Sequence, residues 1–319
     1  MLSPKFRRPG VDARVLALML SVVMGCSGPT DVTDETSVTP VGWLFTEATD
    51  PVTRRSRAMA LDVSDGSVDT LSIAIPNVSY PVVSYDGREL VFTDAGDVIL
   101  YDMTTGRLRD ITYLSSNDYW PVWRPNGTQV LTRRGTSTGD HFVLVNTDRS
   151  GEQVILRLDD YGLVTQQTSW SPDGRWLYFA AVSTPTPFRL IRLDLSTPSV
   201  EPDTLGPVGI TAVAVSHSSG RIAVLQHRGS NDSDTTVAGL LELSTGAVQV
   251  LGTYTLLPIG IAWSPDERFL AVSHFNAGGR GLDVDLIDVR TGRIVRTFRD
   301  FAVGAVPFSW GAVEPQVGQ

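Results

Sequence analysis

Four histidines, one cysteine and a scatter of carboxylates are the residues of this chain best suited to proton transfer, metal ligation or nucleophilic attack. His227 and His274 form the pair with a shared position, each standing at the same distance after an arginine, Arg221 and Arg268, near the end of a strand-like run. The matching slot holds Asp94 and Arg134 in two other runs. Two imidazoles and a carboxylate can hold a divalent cation, so a metal, if bound, would go to His227 and His274. Equal slots on different strands do not imply short distances. The expectation is therefore exposed, non-ligating rings, no metal and no cofactor. A second group, Asp118, Tyr119, Trp120, Asp160 and Tyr161, falls in connections between runs, where aromatic side chains could anchor a peptide or a sugar. Together with Asp94, Arg134, His227 and His274 these residues make up the candidate binding face.

Other constellations lose their chemistry when set in context. Gly135-Thr136-Ser137-Thr138-Gly139 has the spacing of a nucleophile elbow, which needs a strand before the serine and a helix after it. Here strand-like residues stand on both sides, at 130–134 and 141–145, so the segment reads as a loop. Residues 231–234 (Asn-Asp-Ser-Asp) lack calcium-loop spacing, and the glycines at 278–281 read as a flexible loop. No catalytic residue is assigned.

The lone Cys26 can form neither an intramolecular disulfide nor a thiolate cluster. Lys5, Arg7, Arg8 and Arg14 precede an apolar run at 15–23, too short for a comfortable transmembrane helix and laid out like a secretory signal. The run ends at Val23-Met24-Gly25-Cys26, which resembles a bacterial lipobox. That resemblance implies a signal peptide over 1–25 and lipidation of Cys26. Residues 26–40, rich in Ser, Thr, Asp and Pro, then form a disordered tether. Ser27 in place of Asp favours the outer membrane, and the expected location is the cell envelope, facing the periplasm. Removing residues 1–25 takes away four basic groups and one acidic group, bringing the net charge from -9 to -12. Such a chain is unsuited to nucleic acid, whose phosphates need clustered Lys and Arg.

The elements that must position these residues are short strands. Runs such as Glu89-Leu90-Val91-Phe92 and Trp176-Leu177-Tyr178-Phe179 are rich in β-branched or aromatic residues, and turn residues separate them at short intervals. No helical periodicity of any length follows residue 41. The turn Trp170-Ser171-Pro172-Asp173-Gly174-Arg175 returns as Trp263-Ser264-Pro265-Asp266-Glu267-Arg268 and as Trp123-Arg124-Pro125-Asn126-Gly127. Anchors at Val83, Trp123, Trp170, Ser216, Trp263 and Trp310 are spaced by 40, 47, 46, 47 and 47 residues. A second register places an acid or amide before a turn, as in Asp102-Met-Thr-Thr-Gly106 and Asp288-Val-Arg-Thr-Gly292, where a short oxygen-bearing side chain can accept turn amides.

This period predicts an all-β, six-bladed β-propeller of four-stranded antiparallel blades over 41–319. The first unit, from Gly42-Trp43-Leu44-Phe45, matches a second strand. The strand around Trp310 should therefore complete it and close the ring. The Trp-Ser-Pro-Asp-Gly repeats resemble the WD40-like (PD40) repeats of TolB-type propellers, across about 41–319. That resemblance implies docking to envelope lipoproteins, although the α/β domain that precedes a TolB propeller has only a short tether in its place here. The expected function is a monomeric, membrane-tethered, non-catalytic propeller that binds a protein or glycan of the envelope. The alternatives are a polysaccharide-directed lyase or hydrolase using the His227/His274 face, or a binder of a sugar or other small ligand in the central channel.

Overall fold

In the computed structural model the described residues are 39–49, 53, 55–75, 77–112, 117–182, 187–197, 201–229, 235–255, 258–276, 281–301 and 309–312. Cys26, the leader, nearly all of the tether, the loop at 231–234 and the glycines at 278–280 lie outside them. The described strands form six four-stranded antiparallel sheets. Blade 2 runs Ser79–Val83, Glu89–Asp94, Asp97–Asp102, Leu108–Asp110, and blade 3 runs Asn117–Trp123, Gln129–Thr136, Gly139–Asn146, Glu152–Arg157. Blade 4 runs Leu163–Trp170, Trp176–Val182, Arg189–Asp194, Asp203–Leu205, and blade 5 runs Ile210–Val215, Ile222–Arg228, Thr235–Glu242, Ala247–Tyr254. Blade 6 runs Pro258–Trp263, Phe269–Phe275, Leu282–Asp288, Arg293–Phe301. In each, the first strand is innermost. The only described helix is a 3-10 turn, Asp159–Tyr161.

Blade 1 is assembled from both ends of the chain. Its second, third and outer strands are Trp43–Thr49, Ser56–Asp62 and Val68–Thr70, and its inner strand is Ser309–Gly311. Leu44 pairs with Trp310 and Phe45 with Ser309. The closure read from the Gly42-Trp43-Leu44-Phe45 segment is thus the observed one. In the same registers one anchor moves. Val215 pairs with Ile222 as Trp170 pairs with Leu177 and Trp263 with Leu270, so Val215, not Ser216, holds the anchor slot of blade 5. Ser216 takes the place of Ser171 and Ser264. Its serine-rich turn, Ser216-His217-Ser218-Ser219-Gly220, has no tryptophan to fix the alignment.

A blade is apolar on both faces, and the ring covers those faces. The buried side chains form six layers, one per interface: Phe45 and Phe92 belong to the layer between blades 1 and 2, and Val91 and Trp123 to that between 2 and 3. Phe142 and Phe179 pack between blades 3 and 4, Leu190 and Val224 between 4 and 5, Leu225 and Trp263 between 5 and 6, and Phe269 and Trp310 between 6 and 1. Burying each such side chain contributes about 1.5–3 kcal/mol. The anchor tryptophans also tie inner strands to their neighbours: Trp123 Nε1 donates to Val82 O at 3.0 Å and Trp263 Nε1 to Ala214 O at 3.0 Å.

The repeated turns explain their own sequence. Ser171 Oγ bonds to Asp173 Oδ1 and accepts the Trp176 amide at 2.9 Å, while Asp173 accepts the Arg175 amide at 3.1 Å. Gly174 supplies the left-handed φ of 67°. The acids of the second register act in the same way: Asp102 accepts Thr104 and Thr105 amides, and Asp288 those of Arg290 and Thr291. These turns all lie at one end of the ring. The other end is shaped differently.

Candidate functional site in the central channel

Each inner strand of blades 2 to 6 breaks register near its start, between Ser79 and Val82, Tyr119 and Val122, Val164 and Thr168, Ile210 and Ala212, and Pro258 and Gly260. A bulge inserts an extra residue and re-aims side chains. With five bulges at one height, the inner strands splay, and the channel opens into a chamber of about 850 Å³ at the end away from the turns. Residues at or beside the bulges, among them Tyr80, Trp120, Gln167, Thr211 and Ile259, form its wall and floor. Leu163 and Phe275, 59% and 40% exposed, stand at its rim.

The floor is a side chain. Gln167 reaches from blade 4 to blade 6, where its Nε2 donates to Ile261 O and its Oε1 accepts the Ile261 amide at 3.3 Å. Gln167 lines both the chamber and a smaller cavity of about 130 Å³ on the turn side. Its amide therefore divides the channel. On the turn side Tyr85 and His217, from the opposite blades 2 and 5, bring their rings to 4.6 Å. His217 stands on the serine-rich turn of blade 5, and desolvation of its ring holds its pKa below the usual imidazole value.

Two aromatic residues of the chamber wall are held in an unusual backbone state. Tyr80 has φ 58° and Trp120 φ 53°, and each precedes a proline, Pro81 and Pro121. A bulky residue at positive φ is an outlier, and a following proline normally drives it toward extended backbone. Both are braced from behind. The Glu47 carboxylate accepts the Tyr80 amide at 2.6 Å, and burial raises the pKa of Glu47 to about 7 despite that donor. Arg133 places its guanidinium 4.9 Å from the centre of the Trp120 ring while bonding to Asp140 and, at 3.1 Å, to Val164 O. Tyr80 and Trp120 meet edge to face at 6.1 Å.

Of the residues singled out from the sequence, Trp120 and His227 line the chamber. His227 sits where Gly209 passes closely: the His227 amide donates to Gly209 O at 2.7 Å, and a Cβ on Gly209 (φ 86°) would fall 2.2 Å from His227 O. His227 Nδ1 lies 3.4 Å from Thr236 Oγ1. Tyr119 precedes Trp120 with ring centres 6.2 Å apart. The others lie elsewhere. Asp118 is fully buried within the inner strand of blade 3, not in a loop, and meets Arg134 at 3.0 and 3.1 Å. Arg134 also clasps Glu152 at 2.6 and 2.9 Å; burial opposes its charge, yet the two carboxylates raise its pKa. Asp94 closes a hairpin opposite Asp97, its pKa raised by burial and then by that neighbour. Asp160 is exposed, and Tyr161 packs on Phe179 at 5.8 Å.

His274 corrects the expectation of an exposed ring. Its side chain is 13% exposed, with Nε2 3.3 Å from Asp285 Oδ2, Nδ1 3.0 Å from Phe275 O, and Tyr254 at 5.1 Å between ring centres. The Asp285 contact raises its pKa, against the effect of burial. Asp285 in turn accepts Thr297 Oγ1 at 2.6 Å. Among the described residues no three His, Cys, Asp or Glu side chains gather as a metal site. The G-x-S-x-G segment is a hairpin, with Thr136 paired to Gly139.

Sequence reasoning missed Tyr80, Arg133, Leu163, Gln167 and Phe275. One signal was available. Tyr80-Pro81 and Trp120-Pro121 stand at the same distance before the anchors Val83 and Trp123, and Gln167 holds that slot before Trp170.

No family model matches the sequence, and no curated protein matches it either. Solved structures do. TolB from Acinetobacter baumannii superposes with a TM-score of 0.67 at 17% identity, over 84% of this chain and 66% of that one, so this chain spans slightly less than two thirds of it. A chain of a nidogen/laminin complex matches with a TM-score of 0.64 at 11% identity, covering 84% of this chain and 97% of that one. A chain of Kuenenia stuttgartiensis hydrazine synthase matches at 0.54 and 17% identity, over 88% and 90%. At these identities the likeness concerns fold, and the same ring occurs in binding proteins and in enzymes. The chain is a six-bladed β-propeller with the fold of TolB and of other propeller proteins.

Proposed function

We propose that the protein is a non-catalytic binding propeller of the bacterial cell envelope that engages a protein partner across the chamber face. The observation that carries this reading is the asymmetry of the ring. The turn end is drawn together by inter-blade hydrogen bonds. The chamber end is splayed by five bulges and fringed by exposed Leu163, Phe275 and Val208. Apolar side chains clustered at the mouth of a rigid cavity are what a partner's buried anchor residues require. The nidogen/laminin match is to a propeller chain from a protein complex, which supports the use of this fold for protein binding.

The sequence of the leader supports the address. Lipidation at Cys26 would hold such a chain at a membrane surface.

The test places a photo-crosslinking amino acid at Leu163 or, as a control on the turn end, at Leu243 in cells expressing the full chain. A discrete protein adduct from position 163 and none from 243 is expected. Adducts from 243 alone, or none from either site, would overturn the reading.

A further inference from the structure

The chamber has more structure than a docking rim needs, and its chemistry is specific. Its volume of about 850 Å³ lies in the range of cavities that enclose a drug-sized molecule. At its bottom the Gln167 bridge stands between it and the smaller cavity on the turn side. No Asp, Glu, Lys or Arg is among its described lining residues; the polar groups are amides, hydroxyls and His227, set in a predominantly apolar wall. An ionised group placed against these residues would lose its hydration without gaining a counter-charge from them.

The second observation is independent of volume. Tyr80 and Trp120 keep a backbone conformation that costs of order 1–3 kcal/mol per residue; the buried Glu47 accepts the Tyr80 amide, and the half-buried Arg133 packs on the Trp120 ring. Such strain persists where the displayed side chain is used. What it displays here is a corner of two edge-to-face rings standing in the chamber wall.

We propose that the chamber is a binding site for one free, uncharged, apolar small molecule bearing an aromatic or alicyclic ring, which packs into the Tyr80–Trp120 corner and rests on the Gln167 floor. Arg133 is the positioning residue of that site, acting through the Trp120 ring. The inference goes beyond partner binding at the rim and does not depend on it.

The probe is the neutral dye N-phenyl-1-naphthylamine, titrated into the intact protein while following its own emission and energy transfer from tryptophan. One saturable site is expected, with micromolar affinity and transfer dominated by Trp120. Thr211→Trp, which fills the chamber, should abolish the site. Ala212→Leu, a smaller filling change, should weaken it at least tenfold and serves if the tryptophan variant does not fold. Leu243→Trp, on an exposed turn at the other end of the ring, should leave it intact. Arg133→Met should weaken binding severalfold and broaden the Trp120 indole NMR signal, which a role limited to fold stability would not do. Absence of saturable binding would overturn the proposal, as would binding that survives both chamber-filling changes. The same holds if the anionic dye 1-anilinonaphthalene-8-sulfonate binds equally well. Because partner capture is read by crosslinking at Leu163, failure of the dye experiment and failure of the partner reading are separate results.

Discussion

Glu267 shows how one residue can break a local rule and be held by its neighbours. It stands where three other turns carry Gly87, Gly127 and Gly174, and keeps the same left-handed backbone at φ 56°. Its carboxylate accepts the Ser218 hydroxyl at 2.7 Å, the Ser219 amide at 3.2 Å and the Ser219 hydroxyl at 2.6 Å, joining blade 6 to blade 5. Burial raises its pKa, but these donors outweigh burial and lower it to about 2. A depressed carboxylate stabilises the fold above its ordinary pKa of 4.5, and that contribution is lost as pH falls toward 2. Glu267→Ala should therefore cost about 2–3 kcal/mol at pH 7 in urea unfolding, and Glu267→Gly about 1 kcal/mol less because the backbone strain is relieved. Both variants should show a smaller acid-induced drop between pH 4.5 and 2 than the parent, the remainder coming from other depressed carboxylates such as Asp173 and Asp288. Equal stability of the two variants would refute the strain argument.

Glu47 has the opposite sign. Its raised pKa of about 7 means that the charged form is penalised in the folded protein. The favourable contribution is complete below pH 4.5 and disappears as pH rises through 7. Glu47→Gln keeps an acceptor for the Tyr80 amide without the charge. It should raise the melting temperature at pH 8 by several degrees, corresponding to about 3 kcal/mol, and change it little at pH 4. A variant that melts alike at both pH values, relative to the parent, would show that Glu47 is not desolvated.

At the scale of elements, the splayed inner strands decide where a site can form. Blade count, strand order and closing strand were legible because a turn needing Ser, Asp and Gly recurs with each blade, and local chemistry of that kind is written in adjacent residues. The bulges were not legible in that way. The breaks fall at unlike residues, beside Pro81, Pro121 and Pro258 in three blades and without a proline in blades 4 and 5, so no shared local pattern encodes them. For the same reason Asp118 and Arg134, which look like free charges in the sequence, turned out to be partners within one blade, while Gln167 looked like an ordinary strand residue. Its bridge to Ile261 satisfies a buried amide and carbonyl on the unpaired edge of the inner strand of blade 6. Gln167→Leu should leave both without a partner and cost about 2–3 kcal/mol, seen as a lower urea midpoint. An unchanged midpoint would mean that the inner strand of blade 6 holds its shape without the bridge.

At the scale of the molecule, stability depends on closing the ring, because each blade hides its faces only against neighbours. Trp310 carries that closure: it is 3% exposed, packs among Leu44, Ala262 and Phe269, and donates to Val41 O. It thereby joins blade 6 to blade 1 and to the segment that leads into its second strand. Trp310→Ala should cost about 3–5 kcal/mol, as for other buried tryptophans. Truncation after residue 300 should go further, since it removes the inner strand of blade 1 and bares the faces of blades 1 and 6. Limited proteolysis of the truncated chain should then cut first within 43–70, ahead of any site in blades 3 to 5, and unfolding should lose its single sharp transition. If the truncated chain melts as the parent does, with blade 1 still protected, the ring is held by its inter-blade layers alone and the closing strand is dispensable.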